Sequence, residues 1–204
     1  MVATNAYLVA DTDSKRAILI DPVDEAKALL RWAQAAGYEI ALILATHAHF
    51  DHVLASKALV EATHAPFWIH KEAAPFLDKL PITGVKYTGQ AFPEAAKPDK
   101  LIEDEEIIRL DEIELRALYT PGHAPGHLSF YLKRESTVLS GDALFKGSIG
   151  RTDLEGGSLS VLMHSIKTRL LPLPDETRVL PGHMDETTIG QERTTNPFIL
   201  RYDA

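Results

Sequence analysis

The sequence predicts a single α/β domain spanning residues 1–204, built of two similar halves packed as layers. Three observations lead there. Apolar runs of strand character alternate with stretches of helical spacing, after which strands recur and a further helix follows. No linker, low-complexity stretch or internal repeat divides the chain. Its 204 residues lie within the range of one compact domain, enough to bury roughly 70% of the surface an unfolded chain exposes.

Residues 6–9 and 17–20 are short apolar strands joined by the polar turn 11–14, which predicts a hairpin. Asp21-Pro22 closes the second strand. Ala26, Leu29, Leu30 and Ala33 follow helical spacing, and Gly37 sits where that helix would stop. Residues 40–45 are continuously apolar, as expected of a strand buried on both faces. A second helix is predicted over 53–63 with Leu54, Ala58 and Leu59 facing inward, then a strand at 66–70 and a short helix at 71–77. Between 79 and 98, Pro81, Gly84, Gly89, Pro93 and Pro98 break every periodicity, so a surface loop over or near the site is expected. Strands follow at 107–110, 114–119, 128–132 and 137–139. The glycine-rich 147–157 reads as a loop, 159–170 as a helix, 178–180 as a last strand and 189–194 as a final helical turn.

Composition then bounds the function. With 45% hydrophobic and 25% charged residues the chain reads as an ordinary soluble globular protein. A formal net charge of −8 argues against a broad phosphate-tracking surface, and so against nucleic acid, while leaving room for a local basic pocket. The acidic run 103–106 reads as a solvated turn or strand entry. There is no cysteine. Disulfides, thiolate ligands and a cysteine nucleophile are thereby excluded, and any metal must be held by His, Asp or Glu. The first residues lack the features of a signal peptide, and no apolar run reaches the length of a membrane span. A cytoplasmic protein acting on a small molecule, without membrane partners, is expected; its oligomeric state is not legible.

The chemistry is concentrated in His47-Ala48-His49-Phe50-Asp51-His52, directly after the buried strand 40–45. Imidazole nitrogen and carboxylate oxygen are ligands that suit zinc, iron and manganese. Residues two apart in an extended segment project the same way, so His47 and His49 can reach one ion together. Asp51 and His52 lie beyond that reach and would turn toward a second ion. Three later segments repeat the pattern of an apolar strand ending in a metal-type residue: Thr120-Pro121-Gly122-His123, Ser140-Gly141-Asp142 and Pro181-Gly182-His183. Small or rigid residues before each candidate fit a sharp turn off a strand end. His127 follows in Pro-Gly-His-Ala-Pro-Gly-His and reads as a packing or supporting residue rather than a ligand. His64, His70 and His164 have no paired ligand nearby. A serine nucleophile is not supported, because no G-x-S-x-G elbow exists.

Taken together, these four strand-end motifs resemble the metallo-β-lactamase superfamily, and within it the single-domain, glyoxalase II-like hydroxyacylglutathione hydrolases. The resemblance runs from Asn5-Ala6-Tyr7-Leu8-Val9 to the C-terminus. It implies a four-layer αββα sandwich and two divalent metal ions, zinc foremost, with iron or manganese compatible. It further implies that His47, His49 and His123 hold the first ion and that Asp51, His52 and His183 hold the second. Asp142 would bridge them together with a hydroxide. Asp142 and Asp51 would then be the catalytic carboxylates, Asp51 with a minor part as proton acceptor. The implied reaction is attack of that hydroxide on a thioester such as S-lactoylglutathione.

The branch is less sharply defined. The stretch 147–153 resembles glyoxalase II, whose two-domain members carry Lys and an aromatic residue there to grip glutathione. Here Arg151 could supply a cation for a substrate carboxylate, or could pair with Asp153 to tie down the loop. The sequence ends 21 residues after His183, so the helical C-terminal domain of the larger enzymes is not expected. Absence of cysteine counts against a true β-lactamase. A mononuclear-iron persulfide dioxygenase shares the Gly-Arg-Thr-Asp segment and is the alternative activity, though the complete second set of ligands favours a hydrolase. A lactonase or other ester hydrolase is the further alternative.

Overall fold

The computed structural model describes residues 3–202. In the first half, β1 (Tyr7–Ala10) and β2 (Arg16–Ile20) form the predicted hairpin, with Tyr7 opposite Ile20. Helix α1 (Ala26–Ala35) returns the chain to β3 (Glu39–Leu44), parallel to β2. Helices α2 (Phe50–Val53) and α3 (Ser56–Thr63) lead to β4 (Phe67–His70). Helices α4 (Ala74–Leu77) and α5 (Leu80–Thr88) then precede β5 (Lys100–Ile102), and β4 and β5 extend the sheet in parallel. Its order is β1-β2-β3-β4-β5.

The second half opens with an antiparallel meander of β6 (Ile107–Leu110), β7 (Ile113–Tyr119), β8 (Leu128–Leu132) and β9 (Thr137–Gly141). A short hairpin, β10 (Leu144–Phe145) with β11 (Ser148–Ile149), stands apart from both large sheets. Helix α6 (Leu159–Ser165) continues as a wider π-helical segment over Ile166–Leu170. Strand β12 (Arg178–Pro181) lies parallel to β9, and β13 (Thr187–Thr188), α7 (Ile189–Thr195) and α8 (Pro197–Tyr202) complete the fold. This sheet has the order β13-β12-β9-β8-β7-β6.

The period of two along each strand sorts side chains into three cores. Ile18, Ile20, Leu42 and Leu44 of the first sheet pack against Leu115, Ala117, Leu128 and Phe130 of the second. The alternate residues Leu19 and Ile43 turn the other way, onto Leu29 of α1, Leu59 of α3 and Leu80 of α5. On the far side, Val138 and Val179 meet Leu162 and Met163 of α6 and Ile189 of α7. The result is the four-layer αββα sandwich. Both faces of β3 are covered, which is why residues 40–45 carry no polar alternation.

Several expectations are corrected. The helix expected over 53–63 is two helices, broken where the Ala55 amide leaves helical pairing and donates to the carbonyls of Pro22 and Val23. Leu54 and Leu59 are buried, whereas Ala58 is exposed. The stretch 79–98 is not all loop, since it contains α5. Pro81 lies in the first turn of α5, where a missing N–H costs nothing, and Gly89 ends it in the left-handed conformation. A Cβ on Gly84 would stand 2.3 Å from the Phe92 amide nitrogen, so the glycine lets the following loop close onto the helix. The residues that disguised the helix are its start, its packing contact and its stop. Strands β5, β10, β11 and β13 were not anticipated, and α8 extends the structure beyond the expected last turn. The acidic run 103–106 forms the turn between β5 and β6, with Arg169 pairing with Asp104 and Glu105. Among the described residues no helix is long and apolar enough to cross a membrane.

Candidate metal centre

The four motifs leave the ends of β3, β7, β9 and β12, and the fold gathers them at one edge of the sandwich. Three triplets of ligand-type residues result: His47, His49 and His123; His47, His52 and Asp142; and Asp51, His52 and His183. In each triplet the ligand atoms lie within 4.8 Å of one another. Asp142 faces both ends of the cluster. Its Oδ2 is 3.4 Å from His123 Nε2 and 3.3 Å from His183 Nε2, and its Oδ1 is 3.5 Å from His52 Nε2. Asp51 Oδ2 is 3.3 Å from His183 Nε2, and His49 Nδ1 is 2.9 Å from His123 Nε2.

Surrounding groups fix the rings. His52 Nδ1 donates to Asp21 at 2.9 Å, His123 Nδ1 to the Arg151 carbonyl at 2.8 Å and His183 Nδ1 to the Ala3 carbonyl at 2.7 Å. His47 Nδ1 lies 3.0 Å from Thr46 Oγ1. With Nδ1 engaged, each of these rings presents Nε2 to the cluster, the usual way an outer partner orients a metal-binding imidazole. Thr4 Oγ1 donates to Asp51 at 2.7 Å. His127 is fully engaged elsewhere: its Nε2 accepts the Asp142 amide at 2.9 Å, and its Nδ1 lies 2.9 Å from Thr120 Oγ1. It supports the Asp142 turn and has no nitrogen left for an ion.

The donor set fits divalent cations. His47 Nε2, His52 Nε2 and Asp142 Oδ1 are buried without a hydrogen-bond partner, a state that costs about 1–3 kcal/mol per group unless something else satisfies it. Close backbone approach makes the cluster this tight. A Cβ on Gly182 would stand 2.3 Å from Asp142 Oδ1, and one on Gly150 would stand 1.9 Å from the Asp142 carbonyl oxygen.

Protonation divides the cluster. Burial, reinforced by neighbouring imidazoles, pushes His47 well down and His49 to about 4. Burial also lowers His123, against the pull of Asp142. These rings are neutral at pH 7 and free to ligate. Burial acts to lower His52 too, but Asp21 and Asp142 overcome it and raise the ring to about 9. His183 rises to about 10, because hydrogen bonds to Asp142 and Asp51 outweigh burial. Burial would raise both carboxyls, yet His183 and His52 hold Asp51 well below the carboxylate range, and His52 and His183 bring Asp142 to about 2. The Asp51–His52–His183 end is thus a place where anions already hold positive charge.

Arg151 lines the cleft beside the cluster, but Asp153 takes its guanidinium through two 2.7 Å hydrogen bonds. Its backbone carbonyl is what touches the site, through His123. His64, His70 and His164 lie outside the triplets; His70 stacks on Tyr119 at 4.8 Å. Asp21 is the residue that sequence reasoning missed. In the sequence Asp21 only closes a strand, yet it is buried and in the left-handed conformation (φ 55°). It accepts the Thr46 amide at 2.7 Å and the Thr46 hydroxyl at 3.0 Å, as well as His52. The available signal was that β2, like β9, is an apolar strand that ends in an aspartate.

Fold and site together define a metalloenzyme class, an αββα sandwich with histidines and aspartates gathered at its strand ends. The sequence model of the metallo-beta-lactamase superfamily matches residues 1–183, and the chain belongs to that superfamily. Hydroxyacylglutathione hydrolase GloC of Haemophilus influenzae is 38% identical over 197 residues, which cover 96% of this chain and 92% of that protein. A solved structure described as the BLEG-1 B3 metallo-beta-lactamase superposes with a TM-score of 0.91 at 38% identity, covering 97% of this chain and 95% of the other. TTHA1623, solved in a di-iron-bound form, gives a TM-score of 0.87 at 43% identity, covering 97% and 96%.

Proposed function

We propose that this chain is a two-metal hydrolase cleaving a thioester such as S-lactoylglutathione. The observation that carries the reading is the pair of ligand triplets, His47-His49-His123 and Asp51-His52-His183, that meet at Asp142. In this reading His47, His49 and His123 would hold one ion and Asp51, His52 and His183 the other, with Asp142 placed to serve both. Two divalent ions held there would supply a hydroxide at neutral pH and a Lewis acid for the carbonyl. The chain's own groups set the stage. Asp21, Thr46 and the carbonyls of Ala3 and Arg151 hold the imidazoles in register, so that little reorganisation accompanies reaction. Asp51 stays ionised because His183 and His52 hold its carboxyl so low, which makes it a ligand and a poor base. Phe50, Phe76 and Leu80 give the cleft an apolar wall beside the cluster. Similarity to GloC supports the thioester, and the His and Asp donors suit zinc, with the di-iron neighbour supporting iron as the alternative.

Metal quantitation paired with an S-lactoylglutathione assay tests this. Two ions per chain with thioester turnover are expected. One iron per chain, with oxygen uptake on glutathione persulfide, would replace the reading by the dioxygenase. Turnover of a cephalosporin without thioesterase activity would replace it by a β-lactamase, and turnover of a lactone alone by a lactonase.

A further inference from the structure

Beside the metal centre the cleft opens into a cavity of about 600 Å³, lined by α5 and by residues 151–155. Apart from the metal ligands, three cations and two anions line it: Lys79, Lys86 and Arg151 against Asp153 and Glu155. Asp153 occupies both arms of the Arg151 fork, and Glu155 pairs with Lys79 at 2.7 Å. Lys86 forms no direct ion pair among the described residues, although its charge joins that of Lys79 in acting on Glu155, and its ammonium stands 5.3 Å from the centre of the Tyr87 ring. One positive charge is thus left over at this mouth, in a chain whose formal net charge is −8. The Tyr87 ring lies 6.1 Å from that of Phe50, and Phe50 directly precedes Asp51. An aromatic path therefore links the free cation to the metal centre.

We propose that Lys86, set beside Tyr87 on α5, binds a carboxylate carried by the substrate away from its scissile carbonyl, so that the chain selects anionic over neutral thioesters. This rests on the hydrolase reading for the word substrate, but the site itself is a property of α5. A single ammonium with one charge in excess matches a monoanion. A phosphate would call for a free guanidinium fork or several converging donors, and the only fork lining the cavity is closed by Asp153. An aromatic wall beside the cation suits an organic tail that is apolar except at its end.

The test is binding, not turnover. The metal-loaded protein is titrated calorimetrically with S-hexyl-cysteinylglycine and with its C-terminal amide, two thioethers it cannot cleave as thioesters. The carboxylate form is expected to bind about fivefold tighter, as one partly exposed ion pair allows, and added salt should erode the preference. Lys86→Ala should abolish the preference, Lys86→Arg should keep it and Lys86→Glu should invert it. Equal binding of the two ligands by the unaltered protein overturns the proposal, and so does a preference that survives Lys86→Ala. A preference lost only in Arg151→Ala moves the site to that residue and also overturns it. Because neither ligand turns over, a failed hydrolase reading and a failed Lys86 site give different results.

Discussion

At the end of β2, the Asp21 carboxylate gathers Thr46 and His52 through hydrogen bonds of 2.7, 3.0 and 2.9 Å, and it adopts a left-handed backbone to do so. A non-glycine residue held there by its surroundings marks local cost retained for a purpose. Replacing Asp21 by Asn would turn a donor or a weaker acceptor toward His52 Nδ1. Loss of an outer partner of this kind lowers metal affinity about 10- to 100-fold. Asp21→Asn is therefore expected to release one ion far more readily than the other in a chelator titration, and equal loss of both would show that Asp21 does not act through His52. Asp142→Ala should be harsher, costing both ions and activity, because the one carboxylate facing both triplets is removed. Full activity in that variant would disprove the bridging assignment. Gly182→Ala reaches the same atoms without removing any ligand. Its methyl would collide with Asp142 Oδ1 and with His52 Cε1, at 2.3 and 2.7 Å, so weakened metal retention with an intact fold is expected by calorimetry and circular dichroism.

The β10–β11 hairpin and β13, which follow Asp142 and His183 in the chain, are tied to α7 by a second polar cluster at Glu192. This buried carboxylate accepts the Gly147 amide at 2.8 Å, the Thr187 hydroxyl at 2.6 Å and the Asn196 amide at 2.8 Å. Asn196 also donates to the Ser148 carbonyl at 3.0 Å, which ties the β10–β11 hairpin to α7 just before Arg151 offers its carbonyl to His123. Glu192→Ala strands several donors, at about 2–4 kcal/mol in all, and should lower the melting temperature by about 5–15 °C; an unchanged melting point would mean water replaces the carboxylate freely. Nothing in the local sequence announces this clamp, because its members lie up to 49 residues apart, from Gly147 to Asn196. Long periodic elements such as β3, β7 and α1 show their faces directly, and candidate ligands stand at the ends of such strands. Strands of two residues such as β10, β11 and β13 have no period to read. Helix α5 hides behind Pro81, Gly84 and Gly89, whose tertiary roles only the folded chain reveals, and with it hides Lys86. Asp21 meets His52 across 31 residues and through a backbone conformation that no sequence pattern encodes.

Across the whole molecule, the candidate ligands come from both sheets. The histidine run follows β3 of the first, while His123, Asp142 and His183 follow strands of the second, so ions held here would join the two inner layers. Ligands that bind only the folded state stabilise it by mass action. In the metal-free protein, protons on His52 and His183 do part of that work by neutralising Asp21, Asp51 and Asp142. Both pKa values are raised, to about 9 and about 10, above the unfolded imidazole value near 6.5. Their contribution to stability is therefore fully present below about pH 6.5 and is lost as pH climbs through 9 and 10. Bound ions should take over the same role without protons. The metal-free protein is thus expected to melt at least about 5 °C lower at pH 10.5 than at pH 7, while the metal-loaded protein changes much less over that interval. Melting curves of both forms at the two pH values check this, with the loaded form controlling for alkaline effects elsewhere in the chain. If the two forms fell in parallel, the raised imidazoles would not be contributing to the junction of the sheets, and the Asp51–His52–His183 end would have to be stable without positive charge.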